Sequence, residues 1–572
     1  MSVVNLSKAI NWLHQVNSIP SLEVLYLGWA SLPYIPSHLP PFNLTSIVKL
    51  DLFGYSNLNT TILRWLSHAS SLVYLDLSYC SLVDIESLQV TLGALSNLKE
   101  LYLLGNRLEG EIFGMIMNVS RSLKYLDLSW NSLSGDMGQI LRSLGSLEYL
   151  ALDYNKFDGD ISEIVKIFSS SLRYLSLSSN HITGKIPQTM ENLTNLEYLD
   201  LSENNIIGGI PTVFGNLINL KSLDLSQNKI SGQIPETMEN LTNLEYLYLS
   251  NNNIIGDIPT VFGNLINLKS LDLSENNISG QIPETIGNLI NLEYLDLSDN
   301  NIIGGISIVF GNLINLEDLN LLGNKISGQI PKTIGNLTNL KYLDISFNNI
   351  IGGIPMAFGN LLCNLSFIDL SHNHIGGELT DLIDSLLRCE KRAALYLSIS
   401  GNNLSGIVPL SMGQLSALSE LDISSNFLEG NITEAHFSKL TKLEHLDISY
   451  NSLNVILPND WLPPFNANLI IMSSCHLGTK FPAWIQTQTY LEDLSLSGVG
   501  LSGNLPTWFP DILKGWVKHL DLSNNSLDGP IPLNFANASG LQILSLSHNN
   551  LNGGFPSFSA ILILSSPRPI KQ

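Results

Sequence analysis

The chain has 572 residues, 44% of them apolar and only 14% charged, a balance too hydrophobic for a disordered polymer and long enough to bury a large core. Its 28 Lys and Arg stand against 50 Asp and Glu, a net charge of -22 that repels phosphate backbones and anionic lipid surfaces, so no nucleic acid is expected as a partner. Four cysteines are too few for a disulfide scaffold.

The first segment, MSVVNLSKAINWLHQVN, has no basic stretch followed by an apolar core. The longest late apolar run, AILIL at 560–564, is far short of the roughly 20 residues a membrane span needs. The expectation is therefore either a cytosolic protein or a chain lacking both ends. From Leu196 the sequence reads LEYLDLSENNIIGGIPTVFGNLIN and then, from Leu220, LKSLDLSQNKISGQIPETMENLTN, two versions of one template, LxxLxLxxNxIxGxIPxxxxxLxx. Its asparagine position falls at Val4, Ala30, Tyr55, Cys80, Asn106, Asn131, Asn155 and Asn180, then every 24 residues from Asn204 to Asn348. It continues at Asn373, Asn402, Asn426, Asn451, Cys475, Val499, Asn525 and Asn549. Residues 1–572 thus read as a single array of about 22 complete coils, uncapped at both ends. This is the leucine-rich repeat in its IP-containing form. The stretch NIIGGIPTVFGNLINLKSLDLS at 205–226 recurs nearly unchanged at 253–274 and 301–322, so a two-coil unit has been duplicated.

Each column has a physical task. Leu196, Leu199 and Leu201 occupy positions 1, 4 and 6; the last two point to one side at strand period and are buried only when coils stack. Asn204, at position 9, brings carboxamide donors and acceptors to backbone groups that no sheet satisfies. Gly208 and its equivalents permit a positive φ, and Pro211 cannot donate to a central ladder. The expected fold is an α/β repeat solenoid with a parallel sheet on the concave face and irregular or 3-10 segments on the convex side.

Positions 3, 5, 7 and 8 are mostly polar, which predicts an inner face open to solvent. Position 5 is an aspartate column that reads as a hydrated part of the template or as a seat for a basic ligand. Position 3 carries Tyr198, Tyr246, Tyr294 and Tyr342, among other tyrosines, and position 8 is the most variable, with Trp29, Tyr79, Trp130 and Tyr154. With Phe53 and the neighbouring Asp127 and Asp153, these make the candidate ligand face, because aromatics beside polar groups are what interface hot spots favour. The coils from Leu196 to Asn348 are near copies and offer a monotonous pattern, so specificity is expected on the N-terminal side.

Catalytic signals fail on context. GVGLSG at 498–503 falls at the strand-to-turn corner of a coil and opens no helix, and HNH at 372–374 flanks the ladder asparagine. No catalytic, metal or cofactor residue is assigned, and an enzyme is not expected. Cys80 and Cys475 stand at the ladder position and should be buried and reduced. Cys363 and Cys389 lie outside the strand columns and bracket the one long coil; a bridge between them implies an oxidising compartment. Candidate N-glycosylation acceptors are Asn5, Asn43, Asn59, Asn118, Asn192, Asn240, Asn277, Asn336, Asn364, Asn403, Asn431, Asn524 and Asn537.

The stretches VNLSKAINWLHQVNSIPSLEVLYL, LPPFN at 39–43, NLLCNL to LLRC, and above all WLPPFNANLIIMSSCHLGTKFPAWIQTQTYLEDLSLSGVGLSGNLPTWF at 461–509 resemble plant leucine-rich-repeat receptor-like proteins of the ethylene-inducing-xylanase receptor and apple-scab resistance type. The resemblance implies the recognition region of a plasma-membrane protein, on its extracellular side. It implies a protein or peptide ligand of microbial origin sensed in defence signalling, and partner receptor kinases because the family lacks its own. The chain departs from the family pattern by lacking a signal peptide, caps, island and membrane helix, and so reads as a fragment of such an ectodomain. Two other readings are a secreted protein of the polygalacturonase-inhibitor kind, which shares the repeat but is much shorter, and a nonfunctional truncated receptor.

Overall fold

The computed structural model describes residues 5–554 except 36–37, 57, 113, 115–121, 169, 362, 388–394, 514, 533–534, 536–537 and 539. It divides into two compact units, Met1–Ser279 and Gly280–Gln572, and the same coil builds both.

In each coil a short strand carries positions 3 to 5 and pairs in parallel with the strand of the next coil. In the first unit these strands run from Val24–Tyr26 to Ser270–Asp272, and the register is one coil per step, as in Tyr198↔Ser222↔Tyr246. In the second unit they run from Tyr294–Asp296 to Ile543–Ser545. Leu196, Leu199 and Leu201 are fully buried, as are their equivalents in the coils that follow directly, such as Leu220, Leu223 and Leu225. The core is therefore a stack of leucine layers that no single coil closes.

The asparagine ladder has a fixed set of partners. Asn228 Nδ2 donates to the carbonyls of Leu201 (2.9 Å), Leu225 (3.3 Å) and Ser226 (3.0 Å), and its Oδ1 accepts from the Ile206 N–H at 3.0 Å. One carboxamide thus satisfies four backbone groups where the chain leaves the strand, two of them in the preceding coil. Cys80 and Cys475 are buried free thiols. Each offers only weak thiol bonds, Cys80 to Leu52 O at 3.2 Å and Ser78 O at 3.5 Å, and Cys475 to Ile448 O at 3.3 Å.

Beyond the ladder the structure differs from the expected irregular side in two ways. Residues 10 to 14 of many coils form a second set of parallel ladders, such as Ile207–Gly208, Lys229–Gly232, Asn253–Asp257 and Asn277–Ser279. Gly208, Gly232 and Gly256 end or turn these strands with φ of 84, 82 and 87°. In most coils where proline follows, it precedes a 3-10 segment, as Pro211 before Thr212–Asn216, because its fixed φ suits a helix start and its missing N–H is no loss there. Three coils without the IP pair fold this side as α-helix instead, Thr60–Leu66, Ile85–Ala94 and, in the longest coil, Leu379–Leu387, whereas Ser307 in place of the proline still opens a 3-10 segment. Asn59 and Asp84 cap the first two.

Candidate ligand-binding face

The aspartate column is part of the template, tied to the strand end by one carboxylate oxygen. Asp200 Oδ1 accepts from the N–H of Ser202 at 2.9 Å and from its hydroxyl at 2.7 Å, and Asp224, Asp272, Asp344 and Asp447 repeat the pattern. A carboxylate two residues upstream thereby closes the strand end. The position-7 serines are themselves buried, so columns 5 and 7 are less open than their polarity suggests.

Asp127 and Asp153 fall under this correction. Asp127 is buried and accepts from the Ser129 N–H at 3.0 Å. Asp153, at position 7, reaches into the next coil, where Ser176 replaces the usual aspartate, and accepts from the Ser178 N–H at 3.1 Å. It also takes the hydroxyls of Ser129 and Ser176. Both carboxylates serve the backbone and are not free partners for the neighbouring aromatics.

Solvent reaches columns 3 and 8. Trp29, Tyr79, Trp130 and Tyr154 are 51, 44, 54 and 41% exposed. Their backbones share a property that no sequence pattern announced: φ is 57, 54, 55 and 51°, the left-handed region that costs an L-residue about 1–2 kcal/mol. Position 8 is left-handed in every described coil of both units; Gly54, Gly105, Asn251 and Asp299 bear this more easily, and in the second unit Phe347 and Tyr450 are exposed rings in the same setting. The rings lie along the coil axis. Trp130 stacks on Tyr154 at 4.0 Å, and Phe53, half-buried, sits edge-on between Trp29 at 5.2 Å and Tyr79 at 5.3 Å. A Cβ at Gly105 would lie 2.4 Å from the Tyr79 ring, and one at Gly54 would lie 3.0 Å from that of Trp29. These two glycines make room for a ring from the coil before.

Column 3 is a second aromatic line. Tyr149, Tyr174 and Tyr198 stack at 4.2 and 4.3 Å with nearly parallel planes. Burial, then Asp200, pushes the Tyr198 phenol up to about 12. Beside them runs a chain of alternating charge: Arg173 and Lys221 both pair with Glu197, at 3.0 and 2.7 Å, and Lys269 pairs with Glu245 at 2.7 Å. All of these but Lys269 line a groove of about 480 Å³ from Tyr125 to Tyr246. In the second unit the Tyr294 and Tyr342 hydroxyls donate to Asp296 at 3.2 Å and Asp344 at 3.5 Å.

Ten of the candidate glycosylation sites are exposed: Asn5, Asn43, Asn192, Asn240, Asn277, Asn336, Asn364, Asn403, Asn431 and Asn524. Asn192, Asn240 and Asn336 end 3-10 segments. Asn59 is half-buried, its Oδ1 accepting from Thr61 and Ile62 N–H; Asn118 and Asn537 lie outside the described residues. Cys363 is disulfide-bonded; its expected partner Cys389 lies outside the described residues. His372 stacks on Phe347 at 4.1 Å, and among the described residues no cluster of metal ligands forms and no helix is long and apolar enough to cross a membrane.

Comparison with known proteins agrees with this architecture. The family model described as leucine-rich repeat region matches residues 158–254, 236–431 and 310–501, and single leucine-rich repeats match 119–136, 516–538 and 540–560. Receptor-like protein EIX1 of Solanum lycopersicum is 41% identical over 133 residues, which are 23% of this chain and 12% of that protein. Among solved structures, the plant peptide hormone receptor RGFR1 in complex with RGF2 superposes with a TM-score of 0.77 at 29% identity, covering 93% of this chain and 87% of the receptor. The Arabidopsis receptor kinase HAESA, in complex with the peptide hormone IDA and the co-receptor SERK1, gives 0.72 at 28% identity over 89% and 84%. The chain belongs to the leucine-rich-repeat family, and its likeness is to the plant receptor-like proteins within it.

Proposed function

We propose that this chain is the extracellular recognition region of a plant receptor-like protein, binding a protein or peptide ligand on the open side of its sheet and signalling through a partner receptor kinase. One observation carries the reading. The backbone at position 8 favours glycine or asparagine, yet in the coils from Trp29 to Tyr154 it bears exposed Trp and Tyr, a cost that packing among neighbours only partly offsets. Large rigid aromatics held at such a cost are the residues that anchor interfaces. The relatives and neighbours support the class of partner, since RGFR1 and HAESA are each complexed with a peptide hormone and HAESA also with a co-receptor. The exposed acceptors at the ends of 3-10 segments, Asn192, Asn240 and Asn336, are sites where glycan would leave the sheet face open. The test is a paired replacement of Trp130 and Tyr154 by alanine in the full-length receptor: ligand response is lost with normal expression and folding, and an undiminished response overturns the reading.

A further inference from the structure

The tyrosine line of the first unit is interrupted. Tyr149, Tyr174 and Tyr198 form a continuous stack, but the next strand has Ser222 at the same register position and the one after it has Tyr246. Tyr198 therefore has one ring face covered by Tyr174 and the other turned towards the space above Ser222. Tyr246, 37% exposed, borders that space from the far side. Two strand spacings separate the tyrosine positions, about 9.6 Å, which is room for one planar group at a stacking distance from each ring. The groove of about 480 Å³ includes Tyr198, Lys221, Ser222, Glu245 and Tyr246 in its lining.

The charges on the two sides of this gap differ. On one side Lys221 is already paired with Glu197 and Glu245 with Lys269. On the other, Asp200 and Asp224 are register partners on adjacent strands. Each uses Oδ1 for its serine, and no described residue donates to either Oδ2 or brings a cation within salt-bridge reach. Burial and then the neighbouring Asp224 push the Asp200 carboxyl up to about 6, as expected where two carboxylates lack a counter-charge. In the second unit the homologous gap, between Tyr294 and Tyr342, holds Asp318, so there the missing ring is replaced by a carboxylate.

We propose that the gap over Ser222 is a binding slot for an arginine side chain of the ligand, its guanidinium stacked between Tyr198 and Tyr246 and its N–H groups donating to the free oxygens of Asp200 and Asp224. This deepens the receptor reading above and rests on it. A guanidinium is the group that meets every feature: it is planar, it stacks on aromatic faces, and it brings several donors to carboxylates. An ammonium is not planar, a phenyl ring leaves both Oδ2 atoms without a donor, and a neutral indole or phenol brings one donor for two oxygens and no charge.

The 572-residue chain is titrated with acetyl-Gly-Arg-Gly amide and with its citrulline and phenylalanine counterparts, following ligand-detected NMR. The arginine peptide binds at least 10-fold more tightly than the other two. Ser222→Tyr, which completes the stack, abolishes binding with an unchanged circular dichroism spectrum, and Tyr246→Leu, which removes one wall, provides a second reading should the first variant misfold. No binding to the unaltered chain, equal binding of the three peptides, or full binding to a folded variant overturns the slot. Because the probe is not the natural ligand, this result leaves the receptor reading to the Trp130 and Tyr154 replacements, and the two fail separately.

Discussion

Two stretches of the first unit, the coils from Trp29 to Tyr154 and the near-identical coils from Leu196 to Ser279, share a backbone and differ in what they place on it. In the copied coils the left-handed position 8 holds Glu203, Gln227, Asn251 and Glu275, and column 3 alternates tyrosine with serine. In the earlier coils the same strained position holds Trp and Tyr, and room is made for their rings by Gly54 and Gly105. The copied coils therefore show what the fold requires of a coil. The earlier ones show what is added beyond that requirement, and large rings that remain exposed at a position the fold already strains point to a partner.

The largest effect that separates requirement from addition is at the ladder. Asn228→Ala removes four hydrogen bonds and leaves the Ile206 N–H buried without a partner, while Leu201 C=O keeps only the Asn204 amide, at a cost of about 3 kcal/mol. Cys80→Ala, at the same column but with only weak thiol bonds to Leu52 O and Ser78 O, costs about 1 kcal/mol. Thermal unfolding gives the ranking, and hydrogen exchange at Ile206 localises it; equal costs at the two positions would mean that the carboxamide is not what holds the turn. Next comes the added layer: Trp130→Ala and Tyr154→Ala each weaken ligand binding by roughly 2 kcal/mol in the full-length receptor while the melting temperature stays within a few degrees. Smaller, and opposite in sign, is Trp130→Gly. Relief of the left-handed φ gives back about 1–2 kcal/mol and loss of the Tyr154 stack removes about 0.5–1.5 kcal/mol, so stability is unchanged or slightly raised. Tyr125→Gly, in the neighbouring strand, lowers it.

The smallest effect is on pH dependence. Burial, followed by Asp224, raises Asp200 to about 6, and burial raises Asp447 to about 6 against the opposing bonds from Ser449. A carboxyl whose folded value lies above its unfolded one makes the folded state bind more protons. Its contribution is complete below the unfolded value and is lost as pH rises through about 6. Melting curves should therefore show the chain more stable at pH 5 than at pH 7, and Asp200→Asn should reduce that difference; a flat profile between the two would contradict the buried setting of the column.

The repeat length, the leucine layers, the ladder asparagines and the family were legible in the sequence because each depends on a period, and a period survives without coordinates. Even Cys80 and Cys475 were placed as buried thiols by their column alone, and both are. The tasks of the inner columns were not legible in the same way. Asp127 and Asp200 read as surface charge, since nothing local says that a carboxylate will accept the N–H two residues on; that depends on the strand ending there. The left-handed turn at position 8 was hidden because Glu203, Trp130 and Gly105 have no composition in common, only a place after the strand where the chain must reverse. The helices at Thr60–Leu66 and Ile85–Ala94 depart from the repeat period, and only their caps, Asn59 and Asp84, mark where they begin. The sequence determined which residues face the core, through periodicity. Only the stacking of one coil on the next decided which polar groups were consumed by the backbone, which rings were left over, and where, above Ser222, a ring is missing.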